Sequence, residues 1–163
     1  MLTIRQATET DLAGITEIFN EAIEKTTASF FLERRTVEDM RNWLDAHDER
    51  HPVLVAETDG LIAGWTSLTQ WSERQAYDGT AETSFYVRES HRGQGIGTQL
   101  KRSIIEEAKR LGFHTLIARL AEGSVASVHL NQKFGFEFVG TLKEVGLKFG
   151  RLLDVHIYQL MLE

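Results

Sequence analysis

One stretch constrains the fold of this chain more than any other: residues 80–112, TAETSFYVRESHRGQGIGTQLKRSIIEEAKRLG. Its first part alternates and predicts a strand over 80–88. Its last part carries Leu100, Ile104, Ala108 and Leu111 at helical spacing, with Gly112 as the stop. Between them, Gly93, Gly95 and Gly97 fall within five positions. A strand, a bare turn and a helix start together form an anion site. The first helical amides have no intrahelical partner, and the macrodipole favours negative charge there. Glycines admit an oxyanion close to the backbone without a Cβ in the way. Arg92 adds a planar donor suited to phosphate.

The flanking segments decide which fold holds this unit. Residues 2–7 predict a short strand. Thr8 with Asp11 predicts a capping box for a helix over 9–25, and Thr36 with Asp39 repeats it before the apolar stripe Val37, Met40, Trp43 and Leu44. TTASFF between them reads as a loop that leaves aromatic groups near a surface. Strands over 53–57 and 61–68 flank Asp59-Gly60, a hairpin signal because both positions tolerate positive φ. After the glycine loop come a strand over 114–121, a short helix over 124–134 ending at Gly135, and strands over 136–142 and 153–162. The order β-α-α-β-β-β-α-β-α-β-β predicts an α/β (α+β mixed) fold: one domain over 1–163, a central mixed sheet of about seven strands, and about four helices on its two faces. A doubly wound dinucleotide fold would alternate strand and helix from the start.

Composition excludes several functions. With no cysteine there is no disulfide, thiolate metal site or cysteine nucleophile. His47, His51, His91, His114 and His156 show no metal-ligand spacing, so no metal is expected. The net charge of -6 disfavours nucleic acid and anionic membranes as partners. An anionic ligand therefore needs local positive charge, which SHRGQG with Lys101 and Arg102 is expected to supply. No apolar run reaches about 20 residues, and MLTIRQATETDL does not read as a secretory signal. The expected setting is cytoplasmic.

Three ligand classes compete for the loop. A P-loop needs lysine after its last glycine, and none follows Gly97. A Rossmann loop needs G-x-G-x-x-G; here the glycines are spaced two and two, although Glu122 ends the next strand as a ribose-binding acid would. The third class is the pyrophosphate of coenzyme A, against which stands a turn with no ligand at all.

TAETSFYVRESHRGQGIGTQL resembles the core motif of the GCN5-related N-acetyltransferases. NEAIEKTTASF, RQAYDGTAE, KFGFEFVG and VGLKFGRLLDV extend the resemblance over nearly the whole chain to the phosphinothricin and methionine sulfoximine branch. The resemblance implies acetyl-CoA as donor and a primary amine as acceptor. It implies that the strand at 80–88 parts from the strand at 114–121. The pantetheine arm then pairs with backbone near Phe85, Tyr86 and Val87, and Arg92 and the loop Gly93, Gln94, Gly95, Ile96, Gly97 and Thr98 hold the pyrophosphate. Ser124, Ser127 and Asn131 occupy positions that contact the coenzyme in the branch. It also implies a homodimer.

Acetyl transfer to an amine needs a base, an oxyanion donor and sometimes a proton for the thiolate. An α-amino group of pKa roughly 7.7–8.0 needs only a modest base. Glu82 matches the branch's proposed base and shares a strand face with Ser84 and Tyr86; by itself it equally suits a salt-bridged strand glutamate. A strand amide freed by a bulge near Val87 is the expected oxyanion donor. Arg74 and Tyr77 match positions lining the acceptor pocket, where an arginine would grip a carboxylate bidentately; by itself Arg74 equally suits an exposed loop. Phe30 is either an apolar wall or a plug beneath a loop, and Lys148 and Arg151 either reach the pocket or solvate a loop. Three departures stand out. Ser124 replaces the usual asparagine. Leu152 replaces a tryptophan. Asn131 stands where the family has a tyrosine or histidine acid, so the thiolate leaves unaided or another group protonates it. His129 is turned from the Asn131 face. Two other functions remain: acetylation of a peptide or protein N-terminus, and acyl-CoA sensing without turnover.

Overall fold

The structure, a computed structural model, describes residues 1–163. The strands are β1 Leu2–Gln6, β2 Val53–Thr58, β3 Leu61–Gln70, β4 Thr80–Val87, β5 Thr115–Ala121, β6 Glu137–Lys148 and β7 Arg151–Met161. The helices are α1 Leu12–Lys25, α2 Val37–Asp45, α3 Ile96–Arg110 and α4 Val125–Lys133. One sheet joins all strands in the order β1-β2-β3-β4-β5-β7-β6. Every neighbouring pair is antiparallel except β4–β5.

Helices pack on both faces of the sheet, and strand alternation sorts its core residues between them. Val53 and Val55 pack with Leu12, Ile15, Phe19 and Ile23 of α1 and Met40 of α2. Leu54, Leu68 and Leu116 pack with Ile104, Ile105 and Ala108 of α3. Each such side chain contributes about 1.5–3 kcal/mol on burial. Asp11 ties the start of α1 to β1: its oxygens accept from Arg5 Nη1 and Nη2 at 2.8 and 2.9 Å, and Oδ2 also accepts from the Thr8 amide at 2.8 Å. The guanidinium beside it holds the Asp11 carboxyl below the usual carboxylate range. The turn at Asp59 (φ 50) and Gly60 (φ 77) has the positive φ pair expected of the first hairpin.

The last two strands run longer than their sequence suggests. Residues 143–152 continue the hairpin to a turn at Phe149 (φ 52) and Gly150 (φ 71). Phenylalanine at positive φ is an unusual turn residue, which is why the pattern does not advertise the turn. The register shifts between Leu142 and Gly146, where Glu144 (φ 52) donates its amide to Asp154 Oδ1 at 2.8 Å.

The sheet opens at its one parallel seam. β4 and β5 pair only over Thr80–Glu82 and Thr115–Ile117, although β3–β4 stays paired to Val87 and β5–β7 to Ala121. The expected parting of these strands is present, and it begins immediately after Glu82.

Candidate active site

Two cavities meet at the parted strands. The first, about 800 Å³, runs along Phe85, Tyr86 and Val87 to the glycine loop and α4. The second, about 610 Å³, lies on the other side of β4, walled by Phe30, Phe31, Trp43, Trp65 and Val145, with Glu82 and Ser84 in its lining. Thr27, Ala28 and Tyr86 border both.

The loop has the geometry of an anion cradle. Gly93 and Gly95 have φ of 76° and 80°, conformations that side chains rarely adopt. Gly95 is the N-cap of α3, and the first helical hydrogen bond runs from the Gln99 amide to Gly95 O at 3.1 Å. The amides of Ile96, Gly97 and Thr98 are thus left for a ligand. Arg92, Lys133 and Arg151 line this groove, whereas Lys25 is neutralised by Glu89 at 2.8 Å. A local cationic field therefore exists in a chain of net charge -6.

Several sequence expectations need correction. Lys101 does not serve the anion site; it is buried beneath α3. Arg102 is exposed and lies over Phe134 instead. The expectation for Gln94 and Ile96 concerns their backbone amides and is untouched by their side chains: that of Gln94 is exposed outside the groove lining, and that of Ile96 packs into the core while the residue still borders the groove. Asn131 is fully buried and faces a small cavity that shares Ala28, Phe85, Tyr86, Ser124 and Ser127 with the groove's lining, while His129 borders the groove itself. Lys148 neither solvates a loop nor lines the second cavity: it is buried, and its Nζ donates to Ser29 O at 2.6 Å. Burial pushes its pKa down. Arg151 lies on the groove with the loop cations, away from the second cavity.

There is no bulge at Val87 either. The β3–β4 register runs one to one from Gly64–Val87 to Gln70–Ala81. The amide is free for another reason. Arg88 donates its amide to Ala63 O at 2.7 Å, so alternation turns the amides of Phe85 and Val87 to the opposite edge, which β5 has left.

Glu82 is held by a residue that sequence reasoning missed. Arg119 Nε and Nη2 donate to its two carboxylate oxygens at 2.6 and 2.8 Å. Arg119 sits two residues beyond Ile117, the register partner of Glu82, and so on the same face. A lone charge in the otherwise apolar TLIARLA was the available signal. A carboxylate has about four lone-pair sites, so two remain open. Arg74 and Tyr77 join Glu82 and Arg119 around a third, rim cavity with Trp71. Tyr86 donates to Ala28 O at 3.4 Å; burial and the nearby Glu82 charge push its pKa up, so it stays a neutral phenol.

Phe30 lines the second cavity and leans on Gly146 of β6. A Cβ on Gly146 would lie 2.8 Å from Phe30 Cζ, inside contact distance. Gly146→Ala is expected to displace the ring and raise the KM of the molecule in that cavity several-fold. The KM of the ligand on the glycine loop should stay unchanged in the same steady-state assay.

Known proteins share this fold. Residues 4–157 match the family model described as acetyltransferase (GNAT) domain. The chain is 39% identical over 166 residues to the L-methionine sulfoximine/L-methionine sulfone acetyltransferase of Pseudomonas paraeruginosa, covering 99% of this chain and 95% of that protein. It is similar to the crystal structure of ribosomal-protein-alanine N-acetyltransferase from Brucella melitensis, with TM-score 0.95, 40% identity and coverage of 98% and 99%. It is also similar to that of the phosphinothricin acetyltransferase of Sinorhizobium meliloti in complex with acetyl-CoA, with TM-score 0.95, 30% identity and coverage of 99% and 88%.

Proposed function

The chain belongs to the GNAT acetyltransferase family, and from that premise we propose that it acetylates the primary amine of a small amino acid-like compound, of the methionine sulfoximine, methionine sulfone or phosphinothricin type. Acetyl-CoA supplies an activated acetyl group as a thioester. The amides at Ile96–Thr98, with Arg92, Lys133 and Arg151, fit its phosphates. The free edge of β4 fits an extended amide-bearing arm, because Phe85 and the Val87 amide face the edge that β5 has left; the Val87 carbonyl there accepts a long 3.4 Å bond from Arg92 Nε.

One observation carries this proposal: the groove and the second cavity meet at Tyr86, at the parting of the strands, with Glu82 on the acceptor side. Glu82 accepts the amine proton, directly or through a water. The Val87 amide is oriented to donate to the oxyanion. Aromatic walls exclude water from the acceptor.

Arg74 favours a free amino acid over a peptide N-terminus. It lies on the rim beside Glu82 and Arg119 without a carboxylate partner of its own. A free amino acid brings an α-carboxylate for it, and a peptide does not. The test incubates acetyl-CoA with methionine sulfone, phosphinothricin and N-terminal peptides and measures thiol release. Preference for the peptides would overturn the assignment.

We further propose a homodimer through the final hairpin. Val139, Leu147, Phe149 and Leu152 are exposed along β6–β7, more apolar surface than a lone hairpin normally shows. Leu142 and Val145 of the same hairpin line the acceptor cavity, so the partner would border the site. Sedimentation should give a dimer, and Leu147→Glu a monomer.

A further inference from the structure

Lys101 is an oddity of the interior. It projects from α3 and is 1% exposed. Its Nζ donates to Thr83 Oγ1 at 3.0 Å and lies 4.1 Å from the Phe136 ring centroid. No carboxylate pairs with it. A buried ammonium without a counter-charge costs several kcal/mol, and an apolar side chain of similar volume would fill the position without that penalty.

A second oddity shares its surroundings. A cavity of about 50 Å³ lies just past the point where β4 and β5 part, and Lys101, Asn131, Ser84 and Ser127 are among its walls. Asn131 is 0% exposed. Its Nδ2 donates to Ser127 O at 2.8 Å, but its Oδ1 is buried without any partner. The space exceeds what one water needs, and its wall is polar enough to hold one. The titratable groups facing it are Lys101 from α3, Arg119 from β5 and Tyr86 from β4; α4 and its N-cap contribute only Ser127, Asn131 and Ser124.

Resting on the acetyl-transfer function above, we propose that Lys101 is the proton source for the departing thiolate, acting through a water seated between its ammonium and the Asn131 amide oxygen. Asparagine cannot supply a proton from α4. The lysine behind it on α3 can.

The step balances as follows. The amine lone pair forms the C–N bond, and the surplus proton on nitrogen passes to Glu82. Collapse of the oxyanion breaks the C–S bond, and its electron pair goes to sulfur. Sulfur takes a proton from the water, and the water takes one from Lys101 Nζ. Lys101, now neutral, regains a proton from solvent before the next turnover. One proton enters through Lys101 and one leaves through Glu82. Burial pushes the Lys101 pKa down to about 7. Transfer to a thiolate whose thiol has a pKa of roughly 8.5 is then downhill, which it would not be from an ordinary lysine at about 10.4. Tyr86, with its pKa pushed upward, is a poorer donor.

The test is Lys101→Met, which keeps the volume and removes the proton. At saturating amine, wild-type kcat should fall as pH rises through about 7, because the acid works only when protonated. The variant should lose about 10²-fold in kcat, lose that decline with pH, keep the acetyl-CoA KM and melt no lower. Wild-type kcat and an unaltered pH profile in the variant would overturn the donor alone. If the variant fails to fold, the wild-type profile decides, and a flat kcat through neutral pH overturns the donor. A wild-type protein that releases thiol with no amine would instead defeat the acetyl-transfer function, and the donor with it.

Discussion

Replacing Glu82 with glutamine should lower kcat by about 10²–10⁴-fold, the usual contribution of a positioned base, while acetyl-CoA binds as tightly as before. The glutamine amide cannot take a proton at neutral pH. It still offers one oxygen to Arg119, whose side chain is 51% exposed and so does not become an unpaired buried charge. The fold should therefore survive, and thermal melting should move little. Glu82 lies across β4 from the glycine loop, so the loop's amides and cations are untouched. Calorimetric titration with acetyl-CoA and an assay of thiol release check the two halves separately. Full turnover in Glu82→Gln would remove the carboxylate from the mechanism. Coenzyme binding by a wild-type protein that never turns over would mark a sensor.

Gly95→Val should weaken acetyl-CoA binding at least about tenfold. The backbone there has φ 80. Left-handed geometry costs a non-glycine residue about 1–2 kcal/mol, and a β-branched residue is worse placed still. No atom lies within 4 Å of a Cβ at this position, so the loop escapes the strain by changing its dihedrals, not by clearing a clash. That change re-aims the amides of Ile96, Gly97 and Thr98. Gly112→Val provides the control. Its φ of 85 imposes the same strain at the other end of α3, so it should lower stability to a similar degree yet leave acetyl-CoA affinity intact. Equal loss of affinity in both variants would mean that the loop matters only through stability.

Local chemistry made much of this molecule legible. The capping pairs, the Asp59-Gly60 turn and the glycine loop each depend on a few adjacent residues, and each stands where sequence puts it. What escaped depends on pairing across the sheet. Arg119 becomes part of the site only because the β4–β5 register sets it beside Glu82. Lys101 lies next to Leu100 at the margin of the helical stripe, and a lysine there ordinarily turns outward. Thr83 of β4 and the Phe136 ring, just ahead of β6, give it a reason to turn inward, and both are distant from α3 in sequence. The final turn was hidden because phenylalanine occupies a position that glycine or asparagine usually takes. Val87 shows the converse: the free amide is real, but the cause is a departing neighbour and not a kink in its own strand.

The halves of the sheet share a seam stitched by three residue pairs. Beyond those stitches, anything extended that can offer amides to the bare edge of β4 behaves as a borrowed strand. Catalytic geometry and mechanical cohesion would then arrive in one event. An enzyme built this way need not evolve a separate lid, since loading the donor is itself what closes the fabric.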